Sequence, residues 1–92
     1  MTEEESGAFI VQIHEDWELV ENHHLTRIWD LPDFISALEL ANSLGNICEE
    51  QGHHADFELG WGRLSATIFT HKIDALTESD FVLASKFDEV VR

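Results

Sequence analysis

Six histidines occur among 92 residues, and three of them stand where a scaffold presents side chains to a ligand. His53 and His54 follow Gly52, which closes a helical pattern, and His71 closes a run of strand-forming residues. Imidazole both gives and takes a proton near neutral pH, so grouped histidines suit general acid–base chemistry. Taken alone the adjacent pair is a weak signal, because two polar residues after a helix are more often simply solvated. Metal ligation is one rival: Cys48, His53, His54 and His71 would make a four-ligand set on paper. The neighbours His53 and His54 converge poorly on one ion, and HExxH and CxxC spacings are absent, so no metal is expected. A Cys48 nucleophile is a second rival, but Cys48 falls inside a helical pattern beside its apolar stripe, where a packed thiol is the default. His23 and His24 read as a hairpin turn and His14 as a surface residue. Of the three tryptophans, Trp61 is the candidate ligand contact, since it stands between Gly60 and Gly62 close to the pair.

The elements that must position these residues are legible in part. Acids favoured by the helix dipole open a short helix over 3–13, with Phe9, Ile10 and Ile13 on its apolar side. Trp17-Glu18-Leu19-Val20 and Leu25-Thr26-Arg27-Ile28-Trp29 predict two strands with a turn over 21–24. Pro32 suits a first helical position with Asp30 as its cap. Phe34, Leu38, Ala41 and Gly45 form a helical stripe, widened by Ala37, Leu40, Leu44 and Ile47, that runs to about Gln51 and ends at Gly52. Phe57–Leu59 and 63–70 predict two more strands with a bulge or bend at Trp61. Leu64, Ala66 and Ile68 alternate with Ser65, Thr67 and Phe69, which suggests cover on both faces. Thr77-Glu78-Ser79-Asp80 resembles a capping box and opens a last helix. The order αββαββα predicts a single α+β domain over 1–92, a four-stranded antiparallel sheet covered by three helices.

Nineteen acids oppose five bases, a formal charge of −14. That charge repels nucleic acid and anionic membranes. Residues 1–52 hold twelve acids and one base, Arg27, whereas residues 53–92 hold seven acids and four bases. The excess reads as a solvated face or as an acidic docking surface for a basic protein client. No apolar run nears the roughly 20 residues of a spanning helix. The start Met1-Thr2-Glu3-Glu4-Glu5 lacks the features of a secretory signal. A single cysteine excludes an internal disulfide. A soluble, cytoplasmic protein is expected.

One constellation is more specific than any of these features. Glu49, His53-His54, Trp61, His71 and Asp80, with the stretch Thr70-His71-Lys72-Ile73-Asp74-Ala75-Leu76-Thr77-Glu78-Ser79-Asp80, resembles the signature of the pterin-4a-carbinolamine dehydratases. The similarity reaches upstream through Phe34 to Trp17. The resemblance implies the same four-stranded, three-helix fold, assembled as a homodimer or homotetramer. It also implies dehydration of 4a-hydroxytetrahydropterin to quinonoid dihydropterin, with pterin as substrate and no metal or redox cofactor. By position it makes His53, His54 and His71 the catalytic histidines. His53 and His71 would form the acid–base set, and His54 would orient substrate or assist. Glu49 would accept hydrogen bonds from pterin N–H groups, Trp61 would wall the pocket, and Asp80 would be a cap and anchor.

Four positions depart from the pattern. Ala55 stands where Pro, Cys or Ser is expected, Gly52 at a position acidic in the animal enzymes, and Ile73 and Ser79 in place of a Cys and an Arg of those enzymes. A proline would stiffen the turn after the histidines, so Ala55 loosens their support. The family also contains weakly or non-catalytic, dehydratase-like members, among them Rubisco assembly factors linked to the carboxysome. The retained histidines favour the enzyme; the acidity and Ala55 favour an interaction protein.

Overall fold

Thr2 opens the first element by reciprocal capping: its Oγ1 accepts from the Glu5 amide, and the Glu5 carboxylate accepts from the Thr2 amide. In the computed structural model, which describes residues 1–91, helix α1 (Glu3–Ile10) follows. It stops three residues short of the expected end. The Gln12 amide bonds back to Phe9 O, a tighter turn that closes the helix, and the β-branched Ile10, Val11 and Ile13 favour leaving it.

Strands β1 (Glu18–Val20) and β2 (His24–Asp30) form the expected hairpin. Helix α2 (Phe34–Gln51) comes next, then β3 (Asp56–Gly60), β4 (Arg63–Ile68) and helix α3 (Glu78–Val90). All strand pairs are antiparallel, and the spatial order is β1-β2-β4-β3. The element order and the α+β class match the sequence reading.

Asp30 does not cap α2; it is the last residue of β2, paired with Arg63. Asp33 caps instead, with extended backbone and a carboxylate that accepts from the Ser36 amide at 2.9 Å. Pro32 therefore precedes the cap, where a fixed φ suits an extended entry. The buried stripe of α2 is Ala37, Leu44 and Cys48. Phe34 is 44 % exposed and lies on the flank of that stripe, not at its centre. At Trp61 the structure has a two-residue hairpin turn, with Gly60 paired to Arg63, in place of a bulge. Gly62 takes φ +69°, and a Cβ there would meet Leu31 O at 3.0 Å, so this turn requires glycine.

The core lies on one face of the sheet. Leu25, Arg27 and Trp29 of β2 and Leu64, Ala66 and Ile68 of β4 are buried there with Leu44, Cys48, Phe81, Ala84 and Phe87 of the helices. The opposite face is open in this chain: Ile28 is 50 % exposed, and Asp56 and Glu58 are exposed. The expected cover on both faces of β4 is thus corrected to cover on one; Ser65 is buried by the neighbouring strands and needs no helix above it. Arg27, the one buried cation among the described residues, is answered by Asp88 of α3 at 2.7 Å. That carboxylate also accepts from Trp17 Nε1 at 2.8 Å and from the His14 amide at 2.9 Å. A buried charge needs such pairing to be tolerated, and here it ties β2, α3 and the segment before β1 together.

Candidate active site

The end of α2 aims the first histidine. Gly52 takes φ +63°, a left-handed residue that turns the chain out of the helix. The Gly52 amide bonds to Glu49 O and the His53 amide to Cys48 O, the two bonds of a Schellman closure. His53 thereby leaves α2 heading toward the start of α3. There its Nε2 meets Asp80 Oδ1 at 2.5 Å.

Asp80 is fully buried, and every contact it makes has a purpose. Its Oδ2 accepts from the Thr77 amide at 2.8 Å, which caps α3, and from Thr70 Oγ1 at 3.0 Å. The residue expected to be a cap and anchor is one, and it also orients His53. A carboxylate can only accept, so His53 Nε2 carries the proton in this contact and Nδ1 is the free nitrogen of a neutral ring.

The second and third histidines are also carboxylate-paired. His54 Nε2 contacts Glu49 Oε2 across the helix end, and both side chains are largely exposed. His71 Nε2 lies 2.9 Å from Asp56 Oδ2. His71 is not on β4, which ends at Ile68. It sits on a turn closed by the Thr70–Ala75 bridge, whose amides bond across at 3.0 and 3.4 Å. Asp56 reaches it because β3 begins level with Thr67 of β4, at the same end of the sheet. The ring of Phe69 lies 4.2 Å from that of His71.

The fold thus brings His53, His54, His71, Glu49 and Asp80 to one end of the sheet, where α2 stops and α3 starts. A cleft of about 290 Å³ opens there, lined by Gln51, Gly52, His53, Glu78, Ser79 and Val82. Trp61 is not brought to it within one chain. Six residues lie between it and His54, but five of them are strand β3, and at about 3.4 Å per residue they carry it roughly 15 Å away. It stands 74 % exposed at the far turn. Two residues that sequence reasoning passed over do matter: Asp56 and Thr70. Asp56 accepts from His71, a match set by the register of β3 on β4, and Thr70 donates to Asp80 at the start of α3. Cys48 is buried, and burial raises its thiol above the ordinary value, which keeps it protonated and poorly nucleophilic. Among the described residues no cluster of three His, Cys, Asp or Glu side chains is arranged to hold a metal ion, and no helix is long and apolar enough to cross a membrane. A further cleft of about 200 Å³, between α1 and α3, is lined by Phe9, Ile13, Phe81 and Lys86 among others and involves none of the histidines.

Comparison with known proteins identifies the family and the fold. The family model described as pterin 4 alpha carbinolamine dehydratase matches residues 1–90. A protein of Alkaliphilus metalliredigens, provisionally named a pterin-4-alpha-carbinolamine dehydratase, is 44 % identical over 89 residues, covering 97 % of this chain and 80 % of its own length. Among solved structures, a transcriptional coactivator/pterin dehydratase from Brucella melitensis superposes with a TM-score of 0.89 at 22 % identity, covering 100 % of this chain and 98 % of its own. A pterin dehydratase-like protein described as a RuBisCO assembly factor in the alpha-carboxysome gives 0.68 at 16 % identity, over 84 % of this chain and 90 % of its own. At those identities the two structures bear on the fold alone.

Proposed function

Because this chain belongs to the pterin 4 alpha carbinolamine dehydratase family, we propose that it dehydrates 4a-hydroxytetrahydropterin to quinonoid dihydropterin by histidine acid–base catalysis. The observation that carries this reading is the set of three histidines, each paired with a carboxylate, gathered at one end of the sheet. The reaction breaks the C4a–O bond and loses a ring-nitrogen proton. One group must protonate the departing hydroxyl, which leaves as water, and another must take the nitrogen proton. His53 and His71 supply that pair. A carboxylate behind each imidazole fixes its tautomer and stabilises the imidazolium when it forms, so either ring can give a proton and recover it. His54 assists in orienting substrate, and Glu49 accepts from pterin N–H groups beside it. No redox cofactor enters the balance, since no electrons leave the substrate.

The site is shallow in one protomer, and Trp61 stands apart from it. A homodimer or homotetramer that brings Trp61 of one copy toward the cleft of another would supply the expected wall. The test is turnover of 4a-hydroxytetrahydropterin by purified protein. Acceleration over buffer is expected, with His53→Ala and His71→Ala each lowering kcat by about 10²–10⁴. No acceleration defeats the reading, and unchanged rates in both variants defeat the assignment of the histidines.

A second reading has its own observation. The carboxylates Glu15, Asp16 and Glu18 outnumber the single cation Arg27 in the lining of a surface groove of about 310 Å³ beside Ile28, within the acid-rich half of the chain. Such a groove fits a basic segment of a protein client, as for a dehydratase-like assembly factor acting in the cytoplasm or at a carboxysome. Client binding driven by this face weakens as salt rises. Co-purification that is indifferent to salt argues for an apolar interface instead.

A further inference from the structure

His23 lies outside the motif, in the loop that joins β1 to β2, and belongs to none of the pairs that the dehydratase reading uses. Two of its contacts nevertheless run toward His71. Its Nε2–H donates to Asp74 Oδ1 at 2.8 Å, and Asp74 is on the same closed turn as His71. Its ring lies 4.8 Å from Phe69, whose other neighbour, at 4.2 Å, is the His71 ring. His23 therefore touches the turn at two points, the tip through Asp74 and the base through Phe69.

Both sides of the contact are built at a conformational cost. Among the described residues, the non-glycine positions with positive φ are Glu21 (52°), Asn22 (54°) and Asp74 (51°). Two of them immediately precede His23, and the third is its partner. Left-handed backbone is strained for Glu21 and better tolerated by Asn22 and Asp74, and such strain persists only where surrounding contacts hold it. The loop is held from behind as well: Asn22 Nδ2 donates to Met1 O at 3.0 Å, and His24 Nδ1 lies 3.1 Å from His23 Nδ1. With the His23 Nε2 proton committed to Asp74, a neutral His23 accepts at Nδ1 from the His24 Nδ1–H. The turn itself is short of other anchors on that side. Its bonds from the Ile73 amide to Thr70 O and from the Asp74 amide to His71 O are internal to it, and they shape the turn without fixing it to the sheet.

We propose that His23 is a positioning residue that latches the Thr70–Ala75 turn and so sets the orientation of the His71 imidazole. Asp56 fixes one nitrogen of that ring, which leaves it free to swing about that bond; the Phe69 face and the tethered turn tip remove the swing. The pair is too exposed, with Asp74 82 % accessible, to add much to global stability. A latch and a merely structural contact therefore predict different things: the first moves His71 and kcat, the second moves only the melting temperature. The consequence for catalysis rests on the dehydratase reading, whereas the consequence for His71 does not.

The test uses the full chain labelled with 15N-histidine. The variants are His23→Phe, which keeps the ring against Phe69 and loses the bond, Asp74→Ala, and Asp74→Asn, which keeps an acceptor. His23→Phe and Asp74→Ala should each shift the His71 imidazole resonances and lower kcat about tenfold, a misorientation effect. KM should stay within about twofold and Tm should change little. Asp74→Asn should recover most of both losses. His71 resonances unmoved in both disruptive variants overturn the latch, as does a kcat loss that Asp74→Asn fails to recover. If the parent protein shows no turnover, the dehydratase reading falls on that result, and the His71 resonances alone decide the latch.

Discussion

Asp80 does two jobs with one carboxylate, and the substitution that separates them is Asp80→Asn. The Asn Oδ1 can still accept from the Thr77 amide and Thr70 Oγ1, so the α3 cap survives. The amide nitrogen then faces His53 Nε2 and donates where the carboxylate accepted. That forces the His53 proton from Nε2 to Nδ1, a change visible in imidazole 15N shifts, and it removes the charge that stabilised the imidazolium. Activity should fall on the order of 10²–10⁴ while the fold persists; an unchanged tautomer would mean that Asp80 is only a cap. Cys48 gives a second prediction at this scale. Burial raises its folded-state pKa above the ordinary 9.0, so the folded protein favours the neutral thiol. The sign follows: the stability tied to that thiol is present below the unfolded value and is lost as pH rises past it. A thiol-specific reagent should leave native protein unlabelled at neutral pH. The stability advantage over Cys48→Ala should shrink above pH 9.0, as read by urea unfolding; an advantage constant with pH would contradict burial as the cause.

Among the elements, α2 matters most to the site because the glycine that closes it sets the direction of His53. Gly52→Ala adds a Cβ to open space, with nothing within 4 Å, so its effect is purely conformational. The left-handed φ should cost about 1–2 kcal/mol in urea unfolding. Turnover should fall further than stability does, since the Schellman bonds that aim His53 relax with it. Equal behaviour of variant and parent in both assays would show that the closure does not position the histidine. Gly52 is also where sequence reading succeeded most fully. A glycine after an eighteen-residue helix has one physical use, and the structure puts it to that use. Reading failed where the outcome depends on chain neighbours. Asp30 and Asp33 are both good caps by residue type, and pairing with Arg63 keeps Asp30 in the sheet. Asp56 holds His71 from fifteen residues away, a match decided by strand register, which no local pattern encodes. Trp61 looked near the histidines because sequence separation was read as distance, and a strand converts that separation into length. The alternation in β4 was clear, but which face the helices cover is settled by their packing.

At the scale of the whole molecule, charge decides how stability responds to solvent. The excess of acids gives −14 on a body of 38 × 24 × 20 Å. At about 10 mM salt the screening length is roughly 30 Å, comparable with the molecule, so every carboxylate feels nearly every other. At 0.15 M it is roughly 8 Å, and only close pairs interact. Two effects then oppose each other. Salt weakens favourable pairs with an exposed partner, such as Arg27–Asp16, which contribute little; Arg27–Asp88 is buried and largely shielded from ions. Salt also relieves the repulsion among nineteen acids answered by five bases, and compaction concentrates that repulsion in the folded state. The second effect is the larger because it sums over the whole surface. The urea midpoint should therefore rise between 10 mM and 150 mM sodium chloride. Arg27→Met should remove the buried pair's contribution at both salt levels without removing the rise. A midpoint that falls with salt would show that local ion pairs, not the distributed acidity, govern this fold.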